Sequence, residues 1–538
     1  MVVQLKRTGR GRTRKTLKER AVITESFDKG KNSREEDSKI RFDEFDRADN
    51  IIWDRENAIP RPGTSTLLTD EDFLDLTIGK NSAGNKLYAM KKDTLDSKLV
   101  DIDRTAFTET DKITGISGQS GFNFASGADV FYLCNGTDTD IQVVQKAGTV
   151  TTLAIPSGVP KALTLAAERL WVGDNAGALH YSQKTLGEIT SFVANNAHNT
   201  GGVASTGIDD IVAIASSGIY VIVFGTDRFE VHIAPKFAGG ETTFGAAPDT
   251  LVAAFDGWGL SNHKSFVVIG SYIYFMNEAG FYNYLVGSLQ EPQNLDTNKG
   301  EHAELNFSSC AMAYHKLHET TYGSAIRTGQ TNDYIVAYKI RSHLIRSRSE
   351  QPLNAFSNFI DVNVTAFAFD DDNQYFLQSD SGVIKEFTGT TDDGVGIDGE
   401  IVTANTNDKS NKFLKKAGHM YLDVASDGTD TVYYKFWQDT KENTNTQPVF
   451  NVPFTINVQP SALINGMGAY GLQPWGLSGY STGTDRSREF VFQNRKINRK
   501  YARGQCGVSF TTVNNLKIRE LGWFARVTNQ RSGNREFK

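Results

Sequence analysis

The sequence has no apolar segment long enough to cross a membrane, and we expect that it has no secretory leader. Its longest apolar runs, such as Tyr220 to Phe224, are far shorter than the roughly 20 residues that span a bilayer. Met1 to Leu5 is followed by a dense run of Lys and Arg instead of an apolar stretch. We therefore expect a soluble protein that is made in the cytoplasm and is not exported through a signal peptide.

Cysteine is also scarce. Cys134, Cys310 and Cys506 lie far apart, form no CxxC pair, and cannot all pair within one chain. This excludes a disulfide scaffold and predicts buried free thiols in a reducing compartment.

Motifs of common enzymes are missing as well. The chain has no HExxH, GxxxxGK[ST] or GxSxG, and no GxGxxG that opens a helix after a strand. His315 and His318 stand beside Glu319 without further ligands at metal-site spacing. Paired carboxylates of a glycosidase can come from distant positions, so that alternative stays open. We expect no enzyme activity, no cofactor and no metal.

Acidic runs offer calcium as a weaker alternative. Asp370 to Asp372, and Asp392 and Asp393 with Asp398, supply oxygen ligands of the kind that Ca²⁺ prefers. Neither run matches the DxDxDG loop, and turns of β proteins use Asp in any case.

The abundant residues point to β structure. The 538 residues include 33 Phe, 19 Tyr and 49 Gly but only 12 Pro, which favours short strands separated by turns over helical bundles. The length predicts two or three domains.

A hairpin unit recurs from about residue 85. It consists of an alternating apolar strand, a turn with Gly or Asp, and a second strand, as in Ile219, Val221 and Val223 followed by Gly225. The clearest copies are Gly127 to Val144, Glu168 to Tyr181, Gly218 to Ile233, Gly270 to Leu285 and Asp372 to Phe387, with weaker copies at Asn85 to Met90 and Asn332 to Ile345.

The copies begin roughly 40 to 60 residues apart, a period that suits four-stranded blades arranged radially. We predict an all-β chain with a β-propeller of six or seven blades over residues 45–390. A basic, polar arm at 1–44 precedes it, and a sandwich-like β domain at 391–538 follows it. The alternative to the propeller is a tandem β-sandwich.

Charge is distributed unevenly. Residues 1–20 carry a net +7, residues 486–538 a net +10, and the remainder −23. Basic segments neutralise phosphates or dock on acidic proteins. Candidate contacts with DNA or a protein partner are Arg7, Arg10, Arg12, Arg14, Lys15, Arg495, Lys496, Arg499, Lys500 and Arg503.

An ordered series of short motifs resembles the tail hub or nozzle proteins of short-tailed bacteriophages, also described as packaged-DNA stabilisation proteins. Ala48 and Asn50 fit the family's A-x-N, Arg61 to Gly63 its R-P-G, and Thr391 to Gly394 with Ile397 its T-D-x-G-x-x-I. Further matches are Arg169 to Val172, Leu179 to Ser182, Thr206 to Phe229, Phe237 and Ala238, Gly245 to Pro248, Ile273 to Phe275, Ala279 to Tyr282 and Glu520 to Trp523.

The resemblance covers about residues 45 to 525, although His180 replaces the family's usual Tyr and the charged arm has no counterpart. It implies a virion protein that forms a ring of six copies below the portal and adaptor, with tail fibres or spikes as further neighbours. Such a ring retains double-stranded DNA and then releases it, and an acidic wall would let DNA slide. The alternatives are a host-cell propeller scaffold and a glycan-binding or glycan-active propeller.

Overall fold

The computed structural model describes most of the chain. The described residues are 20–23, 45–54, 57–81, 84–127, 130–145, 147–182, 189, 192, 202–233, 251–295, 305–327, 333–340, 355–379, 381–403, 415–438, 448–456, 488–492, 496–501 and 504–527. These residues contain strands and turns and no helix, so no helix among them is long and apolar enough to span a membrane.

The first and larger unit is built from antiparallel four-stranded sheets, which we call blades 1 to 7 in chain order. Blade 1 consists of Phe73–Asn81, Gly84–Asp93, Asp96–Ile102 and Glu109–Ile116, and blade 2 of Asn123–Gly127, Val130–Cys134, Asp140–Val144 and Val150–Ala154. Blade 3 consists of Pro160–Ala166, Arg169–Asp174, Ala178–Tyr181 and Gly202–Ser205, and blade 4 of Ala213–Ser217, Tyr220–Phe224, Arg228–Ile233 and Leu251–Asp256.

Blades 5 to 7 follow the same plan, except that the last blade borrows its outer strand. Blade 5 consists of Phe266–Ile269, Tyr272–Asn277, Gly280–Leu285 and Gln293–Asn294, and blade 6 of Met312–His315, Thr320–Ala325, Tyr334–Lys339 and Ala355–Ile360. Blade 7 consists of Ala366–Phe369, Gln374–Leu377 and Ile384–Phe387, with Thr64–Leu68 as its fourth strand.

The ring is closed by chain segments that lie far apart in sequence. Thr64–Leu68 pairs antiparallel with Ile384–Phe387, with Thr64 opposite Phe387. The inner strand of each blade contacts the inner strand of the next, and that of blade 7 contacts that of blade 1. The described residues thus form a closed seven-bladed β-propeller, which confirms the predicted fold class and makes the blade count seven.

Apolar side chains between neighbouring blades hold the ring together. Each of the seven blade interfaces has its own buried cluster, for example Trp171 with Val221 and Val223 between blades 3 and 4. The recurring hairpins found in the sequence are mostly the second and third strands of a blade.

One detail of the predicted hairpin is wrong. Alternation predicted a single apolar face with Ile219, Val221 and Val223 on it, but Val221 to Phe224 are all buried and Ile219 is exposed in the preceding turn. A blade is covered on both faces by its neighbours, so its second strand is apolar throughout, whereas the turn lies in solvent.

The second unit combines two sheets around one core, which includes Trp53, Tyr434 and Trp523. One sheet contains Ile51–Asp54, Asn57–Pro60, Lys517–Val527, Lys415–Ser426, Arg488–Phe492 and Lys496–Tyr501, and the other contains Phe45–Asp49, Val395–Thr403, Gly504–Thr512, Asp430–Gln438 and Phe450–Ile456. A short hairpin, Thr391–Asp392 with Val395 and Gly396, links the second sheet to blade 7. The sandwich-like fold of this unit stays a prediction.

Two assignments at the N-terminus need correction. Phe45–Asp49 pairs with Val395–Thr403, and Asn57–Pro60 with Lys517–Val527, so residues 45–60 belong to the second unit and not to the propeller. Arg20–Ile23, within the predicted arm, pairs antiparallel with the strand that ends at Val527. Sequence periodicity misses these pairings because their partners lie hundreds of residues away. The propeller is therefore inserted between strands of the second unit.

The strand order defines two faces of the ring. The lower face carries the turns between the first and second strands and between the third and fourth, and the second unit joins there, at Thr64 and Phe387. The upper face carries the turns between the second and third strands and the links from one blade to the next.

Candidate functional site

Residues of three motifs, A-x-N, R-P-G and T-D-x-G-x-x-I, meet at the junction between the two units. Arg61 is the centre of this junction, and its side chain is only 2% exposed. Its Nη1 and Nη2 atoms donate to the two carboxylate oxygens of Asp392 at 2.9 and 2.5 Å, and Nε donates to Asn50 Oδ1 at 3.1 Å. A planar guanidinium that binds a carboxylate with two parallel bonds fixes both distance and orientation.

Asn50 extends this network to blade 6. Its Oδ1 also accepts from the backbone N–H of Ile360 at 3.0 Å, and its Nδ2 donates to the carbonyl of Asp398 at 2.7 Å. The residue has a φ of 56°, a left-handed conformation in which Asn is enriched. One amide side chain therefore ties the outer strand of blade 6 to the strand that contains Asp398.

Gly63 is required for close approach at the same place. A Cβ atom there would lie 2.1 Å from the carbonyl oxygen of Thr391. Its N–H donates to Gly389 at 3.0 Å, and its carbonyl accepts from Thr388 at 2.8 Å. The R-P-G and T-D motifs thus face each other and join the propeller to the second unit.

The basic residues predicted from the C-terminal segment lie partly in one strand. Lys496, Arg499 and Lys500 belong to Lys496–Tyr501, which pairs with Lys415–Ser426, and Lys496 is exposed. Arg7, Arg10, Arg12, Arg14, Lys15, Arg495 and Arg503 lie outside the described residues.

Three cations occupy one row of this sheet. Lys416 is opposite Lys500 on one side and opposite Arg526 on the other, and we call these three residues the basic row. Arg20 is opposite Ala525, so the strand Arg20–Ile23, which follows the basic residues 6–19, begins beside the basic row. Both basic chain ends therefore connect to the same end of one sheet, which sequence reading could not show.

The propeller axis holds a cavity of about 400 Å³ on the upper side. Asp75 of blade 1 and Lys264, on the link into blade 5, form an ion pair of 2.7 Å there. Burial raises the pKa of the Asp75 carboxyl, although Lys264 and the N–H of Leu76 oppose this. No sequence motif predicted this pair, since its two residues belong to different blades.

His263 also lines this cavity. Burial, together with the charge of Lys264, lowers its pKa to about 3, while a hydrogen bond to the backbone of Phe122 acts in the opposite direction. Its Nε2 atom is buried and has no hydrogen-bond partner among the described residues. A neutral ring whose other nitrogen donates to a carbonyl presents an acceptor at Nε2.

Asp370 of the acidic run and the His315–His318 pair, both considered above as ligands for metal ions, have partners in the structure. Asp370 Oδ1 accepts from the N–H groups of Asp372 and Asn373, and Asp370 also pairs with Arg104. His315 and His318 stack with ring centres 4.4 Å apart, and burial lowers the pKa of His315 to about 4. Within the described ranges, no group of three His, Cys, Asp or Glu residues is arranged to hold a metal ion.

The three thiols are free and buried, as predicted. Desolvation raises the pKa of Cys134 and Cys310, and it raises that of Cys506 to about 12.

Comparison with known proteins adds no family. No protein-family model matches the chain, and no curated protein does. Among solved structures, hydrazine synthase of Kuenenia stuttgartiensis is 10% identical over 60% of this chain and 98% of its own, with a TM-score of 0.42. U3-55K is 8% identical over 61% and 99% (TM-score 0.40), and YCF48 bound to D1 peptide is 8% identical over 61% and 97% (TM-score 0.38). The fold assignment rests on the strand pairing described above.

Proposed function

We propose that this β-propeller protein is a structural component of a bacteriophage tail, a hub or nozzle subunit that helps to retain and then release genomic DNA. The observation that carries the proposal is the junction. Asn50, Arg61 to Gly63 and Asp392 belong to three motifs of the phage-tail resemblance. Arg61 contacts Asn50, 11 positions away, and Asp392, 331 positions away. Short motifs that matched by chance would have no reason to form one buried network.

The propeller axis is not a path for DNA under this proposal. The axial cavity of about 400 Å³ is far smaller than the volume that a duplex sweeps, and the Asp75–Lys264 pair lies within it. The conduit must then lie between copies of the chain, with six copies expected. An acidic surface facing that lumen would repel phosphates and let DNA slide.

The basic row and the basic C-terminal end suit a different role. Cations concentrated at one end of one sheet attract an acidic protein neighbour or phosphates, and the attraction weakens with salt. We assign this end to contacts with the tail adaptor or portal-associated proteins and place the protein in the virion.

A host-cell propeller scaffold is the second candidate. The observation that favours it is the fold itself, because a seven-bladed ring with many loops on each face is a general platform for binding proteins. That candidate requires no ring of copies and no association with virus particles.

The test is the mass of the full-length protein by light scattering, with negative-stain images of the same sample, in the presence and absence of phage tail particles. We expect a ring near six times 59.3 kDa, or a monomer that joins tail particles. A monomer that neither forms rings nor binds such particles would contradict the proposal and favour the scaffold.

A further inference from the structure

The upper face of the propeller is strongly acidic. In its described part, eleven Asp and Glu residues are exposed, whereas Lys92 and Arg327 are the exposed cations. Asp70 to Asp72 lie on the link into blade 1, Asp209 and Asp210 on the link into blade 4, and six more on turns and links of blades 1, 4, 5 and 6. The exposed acidic and basic residues of this face therefore give it a formal net charge of −9.

Ion pairs offset only part of this charge. Asp70 contacts Lys91 at 2.6 Å, Asp210 contacts Lys161, and Asp256 contacts Arg228 at 3.1 Å. A face with one dominant sign of charge repels itself, and it attracts partners of opposite sign from a distance. The face therefore selects for a basic partner.

The axial cavity at the centre of this face provides a second, independent feature. His263 lines it with a buried Nε2 acceptor that has no partner among the described residues. Phe122 and Phe266 contribute aromatic rings to the lining, and the ammonium of Lys264 is neutralised by Asp75. An acceptor beside aromatic rings, inside an acidic rim, suits an N–H donor that carries positive charge, such as guanidinium.

We propose that the upper face binds the basic N-terminal segment, residues 6–20, of a second copy of this chain. This segment has eight basic residues against Glu19, a net of +7 that complements the −9 of the face. Arg20, at its end, is held in the second unit, which joins the ring at the lower face. The segment is therefore attached, at Arg20, on the side of the ring away from its own upper face. The proposal holds whether or not the protein belongs to a phage tail.

The first test measures binding of a fluorescent peptide of residues 6–20 to the full-length protein by anisotropy. In the protein used for this assay, Gln replaces five basic residues of the arm, so that its own arm does not compete with the peptide. The replaced residues are Arg7, Arg10, Arg12, Arg14 and Lys15. The upper-face variant combines Glu71→Gln, Asp72→Asn, Asp227→Asn and Glu278→Gln. The matched lower-face control combines Glu168→Gln, Glu291→Gln, Asp371→Asn and Asp372→Asn, which are also exposed.

We expect the upper-face variant to bind the peptide at least tenfold more weakly and the control to stay within twofold. Equal losses in the two variants would show unspecific attraction to an acidic protein and overturn the proposal, as would the absence of binding. His263→Leu should weaken binding at least threefold, whereas His263→Gln, which keeps an acceptor, should retain it. Thermal midpoints of all variants check that the fold is intact.

A disulfide crosslinking test distinguishes binding of the segment to a second copy of the chain from binding within one chain. Full-length Arg10→Cys and full-length Asp227→Cys are mixed and oxidised, since the native thiols are buried. A crosslink between the two chains is expected. A crosslink that forms only when both substitutions are in one chain would overturn the assignment to a second copy. Neither result depends on ring mass or particle binding, so failure here is distinct from failure of the tail proposal.

Discussion

Replacing Arg61 by Met should weaken the junction between propeller and second unit by about 3 kcal/mol, the cost of breaking a buried ion pair. The substitution removes both bonds to Asp392 and the bond to Asn50, while the side-chain stem is largely kept. Asp392 is about one-third exposed, so water recovers part of its solvation. We therefore expect the lower end of the range that buried pairs show.

Asp392→Asn provides the complementary change. It leaves the guanidinium of Arg61 buried beside a neutral amide, and its cost should be similar to or larger than that of Arg61→Met. Because the two residues contact each other directly, the double variant should lose less than the sum of the two, by about 2 kcal/mol. Lys316→Met is the matched control: its pair with Asp371 is exposed and should contribute less than about 1 kcal/mol.

The assay is urea unfolding of the full-length protein followed by tryptophan fluorescence. Trp53, Trp437 and Trp523 report on the second unit, and Trp171 and Trp258 on the propeller. Arg61→Met should lower the free energy of the first transition and separate the unfolding of the two units. If Arg61→Met and Lys316→Met differ by less than about 0.5 kcal/mol, the junction network does not stabilise the protein as argued.

Three further outcomes follow from the described geometry. Gly63→Ala should abolish folding or lower the free energy of unfolding by several kcal/mol, because the new Cβ would overlap the Thr391 carbonyl. The control Gly148→Ala, at a φ of 81° with open space around it, should lower the free energy of unfolding by only about 1 kcal/mol. Thermal midpoints and soluble yield measure both effects. Burial holds the pKa of His315 at about 4, below its value in the unfolded chain, so the unfolded state binds more protons as the pH falls from 6.5 towards 4. Stability is then fully present above pH 6.5 and drops by about 2 kcal/mol by pH 5, and this drop should shrink in His315→Gln; an unchanged pH dependence in urea unfolding would contradict it. Cys134, Cys310 and Cys506 should not react with a thiol reagent in the native state and should all react in urea; rapid native labelling would contradict their burial.

The sequence predicted those parts of the fold that local chemistry determines. The turn from Gly173 to Gly177 and the apolar strand before it identify a hairpin on their own, because the turn residues and the apolar pattern are adjacent. The spacing of such hairpins then indicates blades.

Long-range pairings could not be predicted in this way. Thr64–Leu68 closes blade 7, and Phe45–Asp49 joins the second unit, yet the local sequence of neither strand indicates its distant partner. Register over 300 residues is decided by packing in three dimensions. The same limit hid the axial Asp75–Lys264 pair and the basic row, whose members come from separate strands.

Purified particles of a short-tailed phage whose genome encodes this chain provide the most direct test of the proposed function. Quantitative mass spectrometry of these particles, with a known single-copy component as reference, gives the number of copies per particle. The account predicts that the protein is present in the tail at six copies and stays bound after DNA release. Its absence from washed particles would contradict the assignment to the tail.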